Sequence, residues 1–184
     1  MIRIERRLPA RVDFAQRRLT LPYAERCKSR LRVHLDNDEE AGLFLPRGTV
    51  LRGGDQLQAD DGRVIELLAS AEALYRVQAA PDSKDPHFDL LRAAYHLGNR
   101  HVPVQLQPGV LLLERDGVLR ELLLRLGLRV SEAIAPFEPE AGAYGGGHRH
   151  DHDVSGGMLG EQLSRLAHGD SAPDFSGQQF HLLR

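Results

Sequence analysis

Two amphipathic helix patterns set among short strand patterns constrain this chain more than any other feature. The first opens at Asp85-Pro86: an aspartate can accept from the free N–H groups of the first turn, and proline fits the first helical position. Phe88, Leu91, Ala94 and Tyr95 follow at helical spacing, and Gly98 sits where a left-handed C-cap belongs. The second opens at Asp116, carries Val118, Leu119, Leu122, Leu123 and Leu126 on its apolar face, and ends at Gly127. Strand patterns bracket both. Tyr75-Arg76-Val77-Gln78-Ala79 comes first. Val102-Pro103-Val104-Gln105-Leu106 and Val110-Leu111-Leu112-Leu113-Glu114 lie between the helices, joined at Pro108-Gly109, and Leu128-Arg129-Val130 begins the last strand. The order βαββαβ is the ferredoxin-like arrangement, which predicts one such domain over residues 76–144.

The first 75 residues read instead as short strands and turns. Leu31-Arg32-Val33-His34-Leu35 alternates apolar and polar side chains, as a half-buried strand does, and Asp36-Asn37-Asp38 is a turn signal. Gly42-Leu43-Phe44-Leu45-Pro46 is a short buried run. Arg52-Gly53-Gly54-Asp55 and Asp60-Asp61-Gly62 read as hairpin turns before the strand Val64-Ile65-Glu66-Leu67-Leu68. The expected class is α+β: a small all-β domain over 1–75, the ferredoxin-like domain over 76–144, and a flexible histidine-containing tail over 145–184. Met158, Leu159, Leu163 and Leu166 could form a brief amphipathic turn there, too short to stand alone.

No apolar run approaches the roughly 20 residues of a spanning helix, and the N-terminus lacks the apolar stretch of a signal peptide, so no membrane role is expected. Cys27 is the only cysteine, which excludes an internal disulfide and a multi-cysteine metal site and points to the cytoplasm. With a net charge of -2 and no tryptophan, the chain as a whole gives no signal for nucleic acid. Residues 1–35 do hold ten Arg and Lys side chains (Arg3, Arg6, Arg7, Arg11, Arg17, Arg18, Arg26, Lys28, Arg30 and Arg32) against three acidic ones. Only Phe14 and Tyr23 fall among them, too few for a base-stacking face, so these are read as solvated strand faces.

The chemistry concentrates near the end of the chain, in Gly145-Gly146-Gly147-His148-Arg149-His150-Asp151-His152-Asp153. Imidazole is a good ligand for nickel, copper and zinc. Alternate residues of an extended segment face the same side, so His148, His150 and His152 can converge on one ion, and the glycines let the segment swing. A purification tag would be an uninterrupted histidine run at a terminus; this run is mixed and internal. Among the other histidines, His34, His87 and His96 read as structural or surface residues, and His168 and His181 are isolated. His101 follows Gly98-Asn99-Arg100 at a helix-to-strand junction. One imidazole cannot make a tight transition-metal site, but a two-fold axis places the same residue opposite itself and doubles the ligand.

Tyr95-His96-Leu97-Gly98-Asn99-Arg100-His101-Val102-Pro103-Val104-Gln105 resembles the signature of the UreE family of urease accessory proteins. So do Pro136-Phe137-Glu138-Pro139-Glu140-Ala141-Gly142-Ala143-Tyr144, Leu45-Pro46-Arg47-Gly48 and Leu51-Arg52-Gly53-Gly54-Asp55, and the resemblance covers roughly residues 1–152. It implies an N-terminal β domain similar to the peptide-binding domain of J-domain co-chaperones, and a ferredoxin-like domain that binds metal and forms a homodimer. It implies that His101 of each subunit binds Ni(II) at the dimer interface, with His148, His150 and His152 as further ligands. The implied partners are the GTPase UreG and the urease apoprotein in its maturation complex.

Some members carry an extra His-Asp-His site before the second helix. Here Arg115-Asp116-Gly117 stands in its place, so that site is not expected. Imidazole sites also take Cu(II) and Zn(II), so preference for Ni(II) as cargo comes from the resemblance alone. Neutral imidazoles bind the ion, and affinity is expected to fall as pH drops through roughly 6.5. Two rivals to carriage are a metal-dependent hydrolase, for which no His-Glu-x-x-His helix is present, and a peptide-binding scaffold with incidental metal.

Overall fold

A computed structural model describes residues 1–141; His148, His150 and His152, and the tail expected over 145–184, lie outside the described residues. The N-terminal lobe is built on strands β1 (Ile2–Arg7), β2 (Arg17–Leu21), β3 (Arg30–His34), β4 (Glu40–Phe44), β5 (Gln56–Ala59) and β6 (Val64–Ala69), with a single helical turn α1 (Tyr23–Arg26). Their spatial order is β2-β6-β5-β1-β4-β3. Ile2 and Ile4 point inward while Arg3 and Glu5 point outward, the period-two pattern of a sheet with one wet face. Buried residues from all six strands, among them Ile4, Leu19, Val33, Leu43, Leu57 and Leu67, form one core.

The turn at Asp60-Asp61-Gly62 joins the antiparallel pair β5–β6, as expected of a hairpin. Arg52-Gly53-Gly54-Asp55 is a turn but not a hairpin. It precedes β5, and β5 pairs with β1 and β6 rather than with β4. Two pairings are parallel, β1 with β4 and β2 with β6.

Most of the basic set lies on the wet face, where carboxylates from later in the chain meet it. Arg7 reaches Asp55, Arg11 and Arg18 share Glu66, Arg17 meets Glu39, and Arg32 meets Glu40. Each such exposed pair is worth at most about 1 kcal/mol, but together they spread out the local positive charge. Arg26 departs from the expectation of solvated faces: its side chain is fully buried.

The second lobe carries β7 (Ala71–Ala79), α2 (Pro86–Gly98), β8 (Gln105–Gln107), β9 (Val110–Glu114), α3 (Gly117–Arg125) and β10 (Leu128–Pro136). The four strands run β10-β7-β9-β8, all antiparallel, which is the ferredoxin-like order. Asp85 caps α2 by accepting from the Phe88 N–H at 3.0 Å, and Asp116 caps α3 by accepting from the Leu119 N–H at 2.8 Å. Gly127, at φ 82°, takes the left-handed residue that ends α3. Tyr75, Val77, Leu111 and Leu113 face the helices and pack with Ala93, Leu97 and Leu123. Leu74, Val110 and Leu112 face the other way and pack with Phe137, whose ring meets Tyr23 of the first lobe edge-on at 5.4 Å. β9 is thus covered on both faces, the reason its sequence is an unbroken apolar run rather than an alternating one.

Three expectations are corrected here. The strand expected over Val102–Leu106 is confined to Gln105–Gln107, because Pro103 offers no N–H to a ladder. Phe88, Leu91 and Tyr95 do not face the core: Ala93 and Leu97 do, with Leu90 and Ala94 half-buried. Finally, Gly98 is not left-handed. The helix runs through it, and the left-handed residue is His101. Among the described residues, no helix is long and apolar enough to cross a membrane.

Candidate metal centre

His101 owes its place to how α2 ends. Its own N–H donates to the Gly98 carbonyl at 2.9 Å, and the next N–H, from Val102, reaches back to the Leu97 carbonyl at 3.2 Å. These two bonds make a Schellman motif, with His101 at the position glycine usually fills. Its φ of 55° lies in the left-handed region, which costs a residue with a Cβ on the order of 1 kcal/mol. The motif therefore fixes the backbone that carries this imidazole and turns the chain out of the helix there. The side chain is exposed.

Two hollows meet at His101. One is lined by Arg100, Val102, Glu114, Arg115, Asp116 and Leu119 with it. The other, about 570 Å³, is lined by Tyr23, Ala94, Val104, Leu106, Glu140 and Ala141, among others. Among the described residues there is no group of three or more His, Cys, Asp or Glu side chains able to hold a metal ion. His101 thus has no ligand set within its own described chain; the tail histidines proposed to join it lie outside the described residues. Of the others, His34 and His87 are exposed, and His96 is half-buried in α2 beside Tyr95, rings 5.4 Å apart. Cys27 is exposed and free.

The outer face of α2 leads toward this site. Phe88, Leu91 and Tyr95 are 55, 66 and 64% exposed, a stripe one helical repeat apart that points on toward Gly98 and the helix end.

Sequence reasoning did not find a cluster between the lobes. Arg26 donates to the carbonyl of Phe137, to the Leu51 carbonyl at 3.1 Å and to Glu138 Oε1 at 2.9 Å. Arg52 donates to Glu138 Oε2 at 3.1 Å and to the Pro139 carbonyl at 2.6 Å, and the Gly53 N–H donates to Glu138 Oε1 at 2.7 Å. Burial alone would raise the Glu138 pKa, but the Gly53 N–H, Arg52 and the Arg26 charge together hold it below the ordinary carboxylate value. Arg52 and Gly53 come from the Leu51–Asp55 stretch and Glu138 from the Pro136–Tyr144 stretch singled out in the sequence; only folding shows that the two touch, with Arg26 between them.

Two family models match. The N-terminal domain of the UreE urease accessory protein matches residues 4–70, and its C-terminal domain matches residues 72–171, more than half of the chain. The chain belongs to the UreE family. It is 60% identical over 138 residues to the urease accessory protein UreE of Cupriavidus necator, covering 75% of this chain and 69% of that one. The UreE of Ralstonia nicotianae is 50% identical over 161 residues, covering 84% and 74%. That of Burkholderia lata is 56% identical over 137 residues, covering 74% and 64%. Within this frame the α+β reading of the sequence holds: a β-rich first lobe and a UreE C-terminal lobe of strands and helices.

Proposed function

We propose that this UreE-family protein is a nickel carrier that delivers Ni(II) during assembly of the urease active site, and not an enzyme. The observation that carries the reading is His101: an exposed imidazole held in left-handed backbone at the end of a helix whose outer face is apolar. A two-fold contact along Phe88, Leu91 and Tyr95 would set His101 of one protomer near His101 of its partner, giving two imidazoles where one chain has one. His148, His150 and His152 then complete the shell. An ion held by few fixed ligands and a separate arm exchanges ligands stepwise, which suits transfer to an acceptor. Family membership supports transfer to the GTPase UreG and then to the urease apoprotein, in the cytoplasm. The same membership supports maturation of urease over a scaffold with incidental metal. The imidazoles also accept Cu(II) and Zn(II), so selectivity rests on geometry and supply.

The test is calorimetric titration of Ni(II) with mass followed by light scattering, on wild type and His101→Ala. A tight site of about one ion per dimer that is lost in the variant supports the reading. Tight binding unchanged by the substitution refutes it.

A further inference from the structure

Of the two hollows that meet at His101, the one of about 570 Å³ is walled mainly by apolar side chains and Gly98. Three of its lining residues carry a polar side chain: Tyr23, His101 and Glu140. Burial raises the Tyr23 pKa above its ordinary value, so the phenol keeps its proton and is a poor ligand for a divalent ion. An imidazole and a carboxylate are left in one hollow. The backbone that carries the carboxylate is held at both ends of a single peptide group. The Pro139 carbonyl accepts from Arg52 at 2.6 Å, and the Glu140 N–H donates to the Val104 carbonyl at 2.9 Å. Val104 lies three residues after His101, so this bond ties the root of Glu140 to the link that leaves His101. The two carboxylates of this stretch have different surroundings. Glu138 is taken by Arg26 and Arg52, whereas Glu140 is exposed and makes no ion pair among the described residues.

We infer that Glu140 is a metal ligand beside His101, giving the nickel site a carboxylate oxygen from each protomer. The inference rests on the carriage reading above, including its two-fold contact. One imidazole and one carboxylate fall short of a site in a single chain, in keeping with the lack of any larger ligand group among the described residues. A two-fold axis doubles the pair to two nitrogens and two oxygens. Such an N,O set is of the kind that holds Ni(II) or Cu(II) in tetragonal geometry. Charge favours it as well. Two neutral imidazoles alone would leave the full double charge of the ion in a mainly apolar hollow, where an uncompensated charge is costly; two carboxylates cancel it. Glu140 can turn to the ion without leaving an arginine behind, which Glu138 cannot. For the same reason its replacement leaves the contacts of the fold in place.

The experiment is a double-mutant cycle in the full chain. Ni(II) is titrated by calorimetry, at low and at high salt, into wild type, Glu140→Gln, His101→Ala and the double variant, and thermal melts establish that each is folded. The expected result for Glu140→Gln is nickel binding roughly tenfold or more weaker, since even groups that only support a ligand act on that scale. The loss persists at high salt, because a direct bond is not screened as a distant charge is. It also adds nothing to His101→Ala, because the two residues serve one ion. Unchanged affinity in Glu140→Gln, while His101→Ala abolishes the tight site, overturns the inference and leaves nickel carriage intact. So does a loss that high salt erases, which marks a long-range effect of charge, and so does an equal loss in both backgrounds, which places Glu140 at another site. Tight binding unchanged in His101→Ala overturns the carriage reading and this inference with it.

Discussion

Replacing Arg26 with methionine removes a guanidinium from the one fully buried charged site among the described residues while keeping a long apolar stem. Three acceptors lose their donor: the Leu51 and Phe137 carbonyls and one oxygen of Glu138. Breaking a buried ion pair by deleting one partner costs about 3–5 kcal/mol, because the other charge stays buried. Two features reduce that here. Glu138 keeps Arg52 and the Gly53 N–H, and Arg26 Nε is itself buried without a partner, a cost of about 1–3 kcal/mol that the substitution relieves. The balance is a loss of about 2–3 kcal/mol, or a melting temperature lower by about 4–12 °C for a chain of this size. Urea unfolding followed by circular dichroism reads this from the midpoint at constant slope. Arg26→Met combined with Glu138→Gln should lose less than the sum of the two single changes, by about 1 kcal/mol or more. A loss below about 1 kcal/mol for Arg26→Met, or strict additivity in the pair, would show that the contact between the lobes does not depend on this cluster.

Glu138 also predicts part of the acid limb of stability. Its folded pKa is depressed, so its contribution is complete above the ordinary carboxylate value and is lost as pH falls through the folded value. Urea midpoints measured from pH 6 down to pH 3 should fall less steeply in Glu138→Gln than in wild type. Glu39 and Asp61, both lowered chiefly by hydrogen bonds from Arg63, give the two proteins a shared slope, and identical profiles would refute a role for Glu138. On α2, Leu91→Glu places a charge in the exposed stripe of Phe88, Leu91 and Tyr95. Light scattering should give the monomer mass for this variant and twice that for wild type, with unchanged circular dichroism; a variant that stays dimeric would move the self-contact elsewhere.

Local chemistry made much of the second lobe legible. Asp85 and Asp116 announced both helix starts because a short carboxylate is the side chain that satisfies free first-turn N–H groups. Gly127 and the turn at Pro108-Gly109 were equally readable, since each needs the left-handed backbone that glycine takes without penalty. The ferredoxin-like order followed from the alternation of periods. Which helix face lies inside did not follow. Phe88, Leu91 and Tyr95 have the spacing of a core stripe, and only the packed structure assigns that role to Ala93 and Leu97, small and close enough to sit on the sheet. The left-handed residue at the end of α2 is likewise His101 and not Gly98, because the backbone stays right-handed through the C-cap Asn99 and the closing bonds to Leu97 and Gly98 come from Val102 and His101.

Sequence alone determined both helix starts, the glycine that ends α3 and most of the strands of the second lobe, because these depend on neighbours within one or two turns. Tertiary structure decided the parallel pairings β1–β4 and β2–β6, the burial of Arg26, and the meeting of Arg52 with Glu138 across 86 positions. Such contacts form between segments far apart in the chain, and they hold only because folding removes both partners from water at once, a condition no local pattern of residues records.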